Sequence, residues 1–232
     1  MAQPPDITDT FVREVDENLR RDNLRDFFRK YAGWLIATVV LFLAASGGWI
    51  YWQEYQRKQA EKDVEQLAQV YTDLSNGRGE TAAARFDMLS KSRAKAVRAS
   101  ATFGRAAIAI QRNDLKLAAA KFGELANDKG MPAPVRDLAL IRQTAVQFDS
   151  LKPEDVIARM APLAKAGEPW FGSAGELTGL ALIKQGKTAE AGKLFAAIAR
   201  DETVPGGLRN RAVQMASSLG VDVSSITLRP AQ

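Results

Sequence analysis

The chain of 232 residues contains no cysteine and no histidine. Without thiols there is no disulfide framework, no thiolate zinc site and no cysteine nucleophile. A cysteine-free chain also suits an oxidising compartment, without proving one. Without imidazole, the histidine-based catalytic triad, the HExxH metal site and the commonest general base are missing together. Strand signals are scarce as well: no sustained β-branched alternation, and no Asn-Gly turn set between two such runs. Charge is absent from one stretch, YAGWLIATVVLFLAASGGWIYW, which occupies 22 positions from Tyr31 to Trp52.

The remainder is ordinary for a folded protein, with 46% hydrophobic and 25% charged residues. Roughly 180 residues follow the apolar stretch, enough to enclose a core. The net charge of +5 raises the question of nucleic acid. Basic residues are interleaved with acidic ones, as in RRDNLRDFFRK and RKQAEKDVE, and no long basic block carries aromatics. An unclustered excess of this kind does not point to a nucleic-acid partner.

A helix rises 1.5 Å per residue, so the uncharged stretch spans about 33 Å, enough for a hydrocarbon core of about 30 Å. A secretory signal has a shorter apolar region and starts closer to the N-terminus. Ala44, Ala45, Ser46, Gly47 and Gly48 resemble a cleavage site, but Trp49, Tyr51 and Trp52 follow, with Tyr31 and Trp34 at the other end. Aromatics at both ends mark the two membrane interfaces, and a retained anchor is the reading. Residues 11–30 carry six Lys and Arg against three in residues 53–72. That bias puts the N-terminus in the cytoplasm and the large domain across the membrane. Gly33, Ala37, Ala44 and Gly48 share one helical face, a seam that admits a second transmembrane helix; common usage of small residues in membrane helices is the plain alternative. Ahead of the anchor, Phe11, Val15 and Leu19, then Leu24, Phe27 and Phe28, suggest two short amphipathic pieces parted at Asp22-Asn23. Such a tail lies on lipid or a partner, or is a solvated lead-in.

Beyond the anchor the chain reads as helix throughout and repeats itself. KQGKTAEAGKLFAAIA, Lys184 to Ala199, resembles the turn and second helix of a tetratricopeptide repeat, with Gly186, Ala191, Phe195 and Ile198 in frame and Gly179 and Leu182 before them. Gly77, Ala82, Phe86 and Leu89 fit the frame, with Ala68 and Tyr71 ahead; Asn113, Ala118, Phe122 and Leu125 fit it with Ala106 and Ala109. A weaker copy has Leu151, Val156, Met160 and Leu163. The turn positions are spaced 36, 38 and 35 residues apart, near the 34-residue period of that family. A last helix, Leu208 to Leu219, is expected to cap the array with Leu208, Ala212, Met215 and Leu219 inward. After Gly220 the pattern is lost and a frayed tail is expected. No Pro or Gly lies between Ile50 and Ser75, so the membrane helix is expected to run into the first repeat, with a break near Gln53 to Gln59 as the alternative.

The expectation is an all-α protein: a single N-terminal transmembrane helix followed by a tetratricopeptide-repeat-like solenoid. The divisions are a cytoplasmic tail at 1–30, the anchor at 31–52, a periplasmic repeat domain at 53–220 and a tail at 221–232.

LRDFFRKYAGW, Leu24 to Trp34, and GGWIYWQEYQ, Gly48 to Gln56, together with the repeats, make the chain similar to the YfgM family, ancillary subunits of the Sec translocon. The resemblance covers most of the chain and rests on hydrophobic class and order. It implies a bacterial inner-membrane protein facing the periplasm. Its partners would be Sec channel subunits, a membrane-bound periplasmic chaperone, the proteins emerging from the channel, and membrane lipid. In the tetratricopeptide frame, first-helix residues would line a groove: Glu65, Gln69, Thr72, Asp73, Phe103, Ile110, Ile141, Glu176, Ile183 and Lys184. Core packing is the plain alternative for the apolar ones.

No cofactor, metal or catalytic residue is expected. Ser92-Arg93-Ala94-Lys95 matches SxxK, but its companion motifs are absent. Glu154-Asp155 reads as a helix start after Pro153. The reading is a non-enzymatic interaction module at the translocon, with a scaffold for outer-membrane or cell-wall assembly as the alternative.

Overall fold

A computed structural model describes residues 7–224, with side chains from Arg29 onward. Among the described residues there are nine α-helices and no strand. They are α1 (Ile7–Ser75), α2 (Gly79–Leu89), α3 (Lys95–Gln111), α4 (Leu115–Asn127), α5 (Ala133–Val146), α6 (Pro153–Met160), α7 (Phe171–Lys184), α8 (Thr188–Arg200) and α9 (Gly206–Ser218). The chain divides between Gln59 and Ala60 into two units.

The first unit is the long N-terminal part of α1. The break expected at Asp22-Asn23 is absent, since α1 passes through both residues. Asp and Asn each cost only about 0.7 kcal/mol or less in a helix interior, far below the roughly 3 kcal/mol of proline. The side chains proposed for the amphipathic tail lie outside the described ones. From Arg29 on, α1 is long and apolar enough to cross a membrane, with a window of mean hydropathy 1.8 and none of that window buried. Thr38 donates its hydroxyl to the Trp34 carbonyl at 2.8 Å, which satisfies that hydroxyl inside the apolar run.

The second unit is built from helix pairs. Residues 60–75 of α1 pair with α2, α3 with α4, α5 with α6 and α7 with α8, while α9 stands alone at the end. Three of the four pair turns share one backbone device. Gly77, Asn113 and Gly186 have φ of 74°, 58° and 76°. At each, the turn residue's N–H and the next N–H donate back to the ends of the preceding helix, as in Asn113 to the Ile110 carbonyl and Asp114 to the Ala109 carbonyl. This is the left-handed C-terminal cap that releases a chain from a helix. The frame therefore asks for a left-handed backbone at that position, and Asn113 serves because its short polar side chain tolerates it. Gly220 repeats the device after α9, with φ of 80°, so α9 ends as the first helices of the repeats do.

The third pair lacks the device. Its turn is longer, with Ser150 and Leu151 both donating to the Gln147 carbonyl, and α6 has only eight residues. Counted from the end of α5, the equivalent turn position is Phe148 rather than Leu151.

The core follows the frame. Ala82, Phe86 and Leu89; Ala118, Phe122 and Leu125; and Ala191, Phe195 and Ile198 are buried, as are Val156 and Met160 of the third pair. One expectation fails in the first pair. Ala68 and Tyr71 are exposed, and Val70, Leu67 and Leu74 pack inward instead. Seven and four residues before Gly77 stand Val70 and Asp73, the offsets that Gly179 and Leu182 hold before Gly186; a charge at the second position hid the frame. At the far end, Ala212 is buried and Leu208, Met215 and Leu219 pack on the α8 core as expected. Val221 and Val223 also pack there, so the tail stays folded beyond Gly220. The stretch from 225 lies outside the described residues.

Candidate protein-interaction surface

Within the second unit α5 meets α7, and α7 meets α9, while no comparable contact joins α3 to α5, α4 to α6 or α6 to α8. From α5 onward the first helices thus form the inner, more crowded layer, the arrangement that gives a repeat array its concave face.

Counting back from each turn locates the apolar residues of the first helices that stay open or half-open. Thirteen and six residues before Gly77 are Val64 and Tyr71, 57% and 51% exposed. Three before Asn113 is Ile110, 42% exposed, and three before Gly186 is Ile183, half-buried beside the C-terminal core. Tyr71 rests edge-on against the buried Phe86 ring, centroids 5.9 Å apart, so its ring is oriented while one side stays open. Val64 was not singled out in the sequence, and Tyr71 was assigned there to the packed frame rather than to the groove.

The structure sorts the other groove candidates. Glu65, Gln69 and Thr72 are exposed on α1, with Gln69 within 3.5 Å of Arg85. Asp73 is buried at 5% exposure and is not open to a partner. Its carboxylate is held by Arg78 at 2.6 Å and Arg85 at 3.2 Å; the Arg85 approach is an ion pair without hydrogen-bond geometry, leaving Oδ2 short of a donor. Ile141 is buried in the third-pair core. Framed on Phe148 it stands seven residues before the turn, the position of Val70, Ala106 and Gly179, so a three-residue shift moves it from groove to core. Phe103 is half-buried against Phe122, centroids 5.9 Å apart.

Glu176 and Lys184 face their neighbours across one repeat. Arg211 on α9 grips Glu176 with Nε at 2.8 Å and a second nitrogen at 3.0 Å. That hydrogen bonding raises the Arg211 pKa further above its ordinary value. Lys184 reaches Asp149 at 2.8 Å and lies 4.4 Å from the Phe148 ring centroid. Both bridges join residues 35 apart. Outside the row, a cleft of about 500 Å³ opens between α4 and α5 beside the long third turn, with Leu115, Ala119 and Val146 on its walls.

In the first unit, Tyr31, Trp34, Trp49, Tyr51 and Trp52 are all exposed. Trp49 and Trp52 lie with ring centroids 5.7 Å apart, and the Lys30 ammonium is 5.8 Å from the Tyr31 ring centroid. Gly33, Ala37, Ala44 and Gly48 are exposed too, and a Cβ added at either glycine would meet nothing within 4 Å.

Ser92 is a packed loop residue. Its hydroxyl donates to Asp63 Oδ2 at 2.5 Å and accepts the Ala94 N–H at 3.1 Å, while Lys95 opens α3, exposed. Glu154 and Asp155 sit in the first turn of α6, where the helix dipole favours carboxylates. Among the described residues no group of three or more Asp or Glu is placed to hold a metal ion.

These features define a helix-pair solenoid, a fold of protein-interaction modules rather than of catalysts. The match to known families agrees: a tetratricopeptide repeat-like domain covers residues 25–216, and the chain belongs to that family. No curated protein and no solved structure matches the chain.

Proposed function

We propose that the chain is a single-pass membrane protein whose repeat unit holds proteins emerging from the Sec channel. One observation carries this reading: open apolar side chains on the first helices, Val64, Tyr71 and Ile110, in a chain that also contains one candidate membrane span. The excess of Lys and Arg before the span supports a cytoplasmic N-terminus, which puts the repeat unit on the periplasmic side of a bacterial inner membrane. The similarity to ancillary translocon subunits supports the channel and a membrane-bound chaperone as partners. The open faces of Gly33 and Gly48, with Ala37 and Ala44 between them, suit close packing against another transmembrane helix.

The test is photo-crosslinking in membranes, with the reactive residue placed in turn at Tyr71, Ile110 and Lys184 while a secreted chain is arrested in transit. Adducts to that chain and to channel subunits are expected, and Gly33→Leu with Gly48→Leu should lower recovery of the channel. Adducts only to cell-wall or outer-membrane assembly factors would move the function to an envelope scaffold. Recovery unaffected by the two leucines would remove the seam from the account.

A further inference from the structure

Residues 88–113 contain no acidic residue and six cations: Lys91, Arg93, Lys95, Arg98, Arg105 and Arg112. Three of these are paired, Arg98 with Asp128 at 3.3 Å, Arg105 with Asp87 at 2.9 Å and Arg112 with Glu80 at 2.9 Å. The other three, Lys91, Arg93 and Lys95, are exposed in and beside the loop from α2 to α3, and their side chains have no ion pair or hydrogen bond among the described residues. One carboxylate, Asp63, lines the same cleft as Lys91 without forming an ion pair with it. The first turn of α3 carries no acid, and its cap, Ala94, offers no side-chain acceptor, so the positive end of the helix dipole adds to the same field. Asp63, on the neighbouring helix, accepts the Ser92 hydroxyl. That bond also fixes where the loop stands: it is pinned three residues from Ala60, where the chain enters the repeat unit.

We propose that this loop is a second membrane contact, in which Lys91, Arg93 and Lys95 bind the phosphates of anionic lipid headgroups. The inference rests on the reading of α1 as a membrane anchor. Chain length keeps the loop within reach of the bilayer. Only residues 53–59 separate the apolar run from the unit, and seven residues reach about 25 Å at full extension. Anionic lipid therefore stays at high effective concentration near a triad of free cations. Three such charges raise the occupancy of a lipid-bound state by roughly 100-fold at moderate salt. An acidic peptide would meet the same charges, but nothing tethers it there.

The cysteine-free chain allows a clean experiment. Ala96→Cys in the exposed first turn of α3 carries a fluorophore, and the full chain is placed in nanodiscs whose lipids bear a headgroup quencher. Quenching is expected to be strong in discs with about a third anionic phosphatidylglycerol and weak in neutral discs. It should fall several-fold between about 0.05 and 0.5 M salt. Lys91→Gln, Arg93→Gln and Lys95→Gln together should abolish the anionic component, and Lys95→Glu alone should reduce it. A label at Gln214→Cys on α9 should not respond to anionic lipid. Equal quenching in neutral and anionic discs, or a triple variant that behaves as the parent, overturns the proposal. Failure of the chain to enter the disc at all, seen by its elution apart from lipid, overturns the anchor and this contact together.

Discussion

At the scale of single residues, the repeat unit depends on a few positions where backbone or side-chain identity leaves no latitude. Gly179 is one: a Cβ there would stand 2.6 Å from the Phe195 ring. Gly179→Ala should therefore destabilise by about 1–3 kcal/mol in chemical denaturation, against the roughly 1 kcal/mol gain that alanine gives an open helix site. Asn113 is another: Asn113→Ala should cost about 1 kcal/mol through its left-handed backbone, while Asn113→Gly should be neutral or better. Asp201 gives a pH signature. The Thr203 hydroxyl, then its N–H, hold that carboxyl below its ordinary 3.8. A folded pKa below the unfolded one contributes stability that is complete above the ordinary value and lost as pH falls through the folded one. Thr203→Val should thus flatten the fall of Tm below about pH 4, and an unaltered slope would contradict the assignment.

The elements show what the sequence made legible. Helix pairing was readable because three turns announce themselves with Gly or Asn at nearly constant spacing, and the second helices carry Ala and Phe at fixed offsets behind them. The third pair was misframed because its turn has no left-handed residue to count from, and Ile141 entered the groove list for that reason alone. Asp73 was misplaced for the opposite reason. Its offset was right for the core, but a carboxylate there makes sense only once Arg78 and Arg85 are seen around it. Side-chain exposure within the right helix, as at Tyr71, depends on neighbours far along the chain and was not legible. The role of α9 was. Its outward residues Arg211, Gln214, Ser217 and Ser218 are exposed and polar, whereas Phe171, Ile198 and Val204 are buried in the core it joins. A chain ending before Gly206 should lose about 3 kcal/mol or more and self-associate, measured by thermal melts and light scattering. A monomer with an unchanged melt would show that the cap is dispensable.

At the scale of the whole molecule, the reading of one span with the repeat unit outside the cytoplasm makes a direct prediction. Protease added to spheroplasts should degrade the repeat unit without lysis; protection until lysis would reverse the orientation. The same unit also has a mechanical character that follows from the bridges Asp149–Lys184 and Glu176–Arg211, set one repeat apart on partly exposed side chains. Each contributes at most about 1 kcal/mol at such exposure, against apolar contacts many times larger in sum, so they hold spacing and not the fold. They behave as weak rungs on a coiled spring. In dilute medium the rungs keep α5, α7 and α9 at one pitch; near 1 M salt the screening length shrinks to about 3 Å and the spring softens. A cargo seated on the inner layer would then be gripped by a surface whose stiffness is trimmed slightly by the ions around it, while its shape is set by the alanines and phenylalanines beneath.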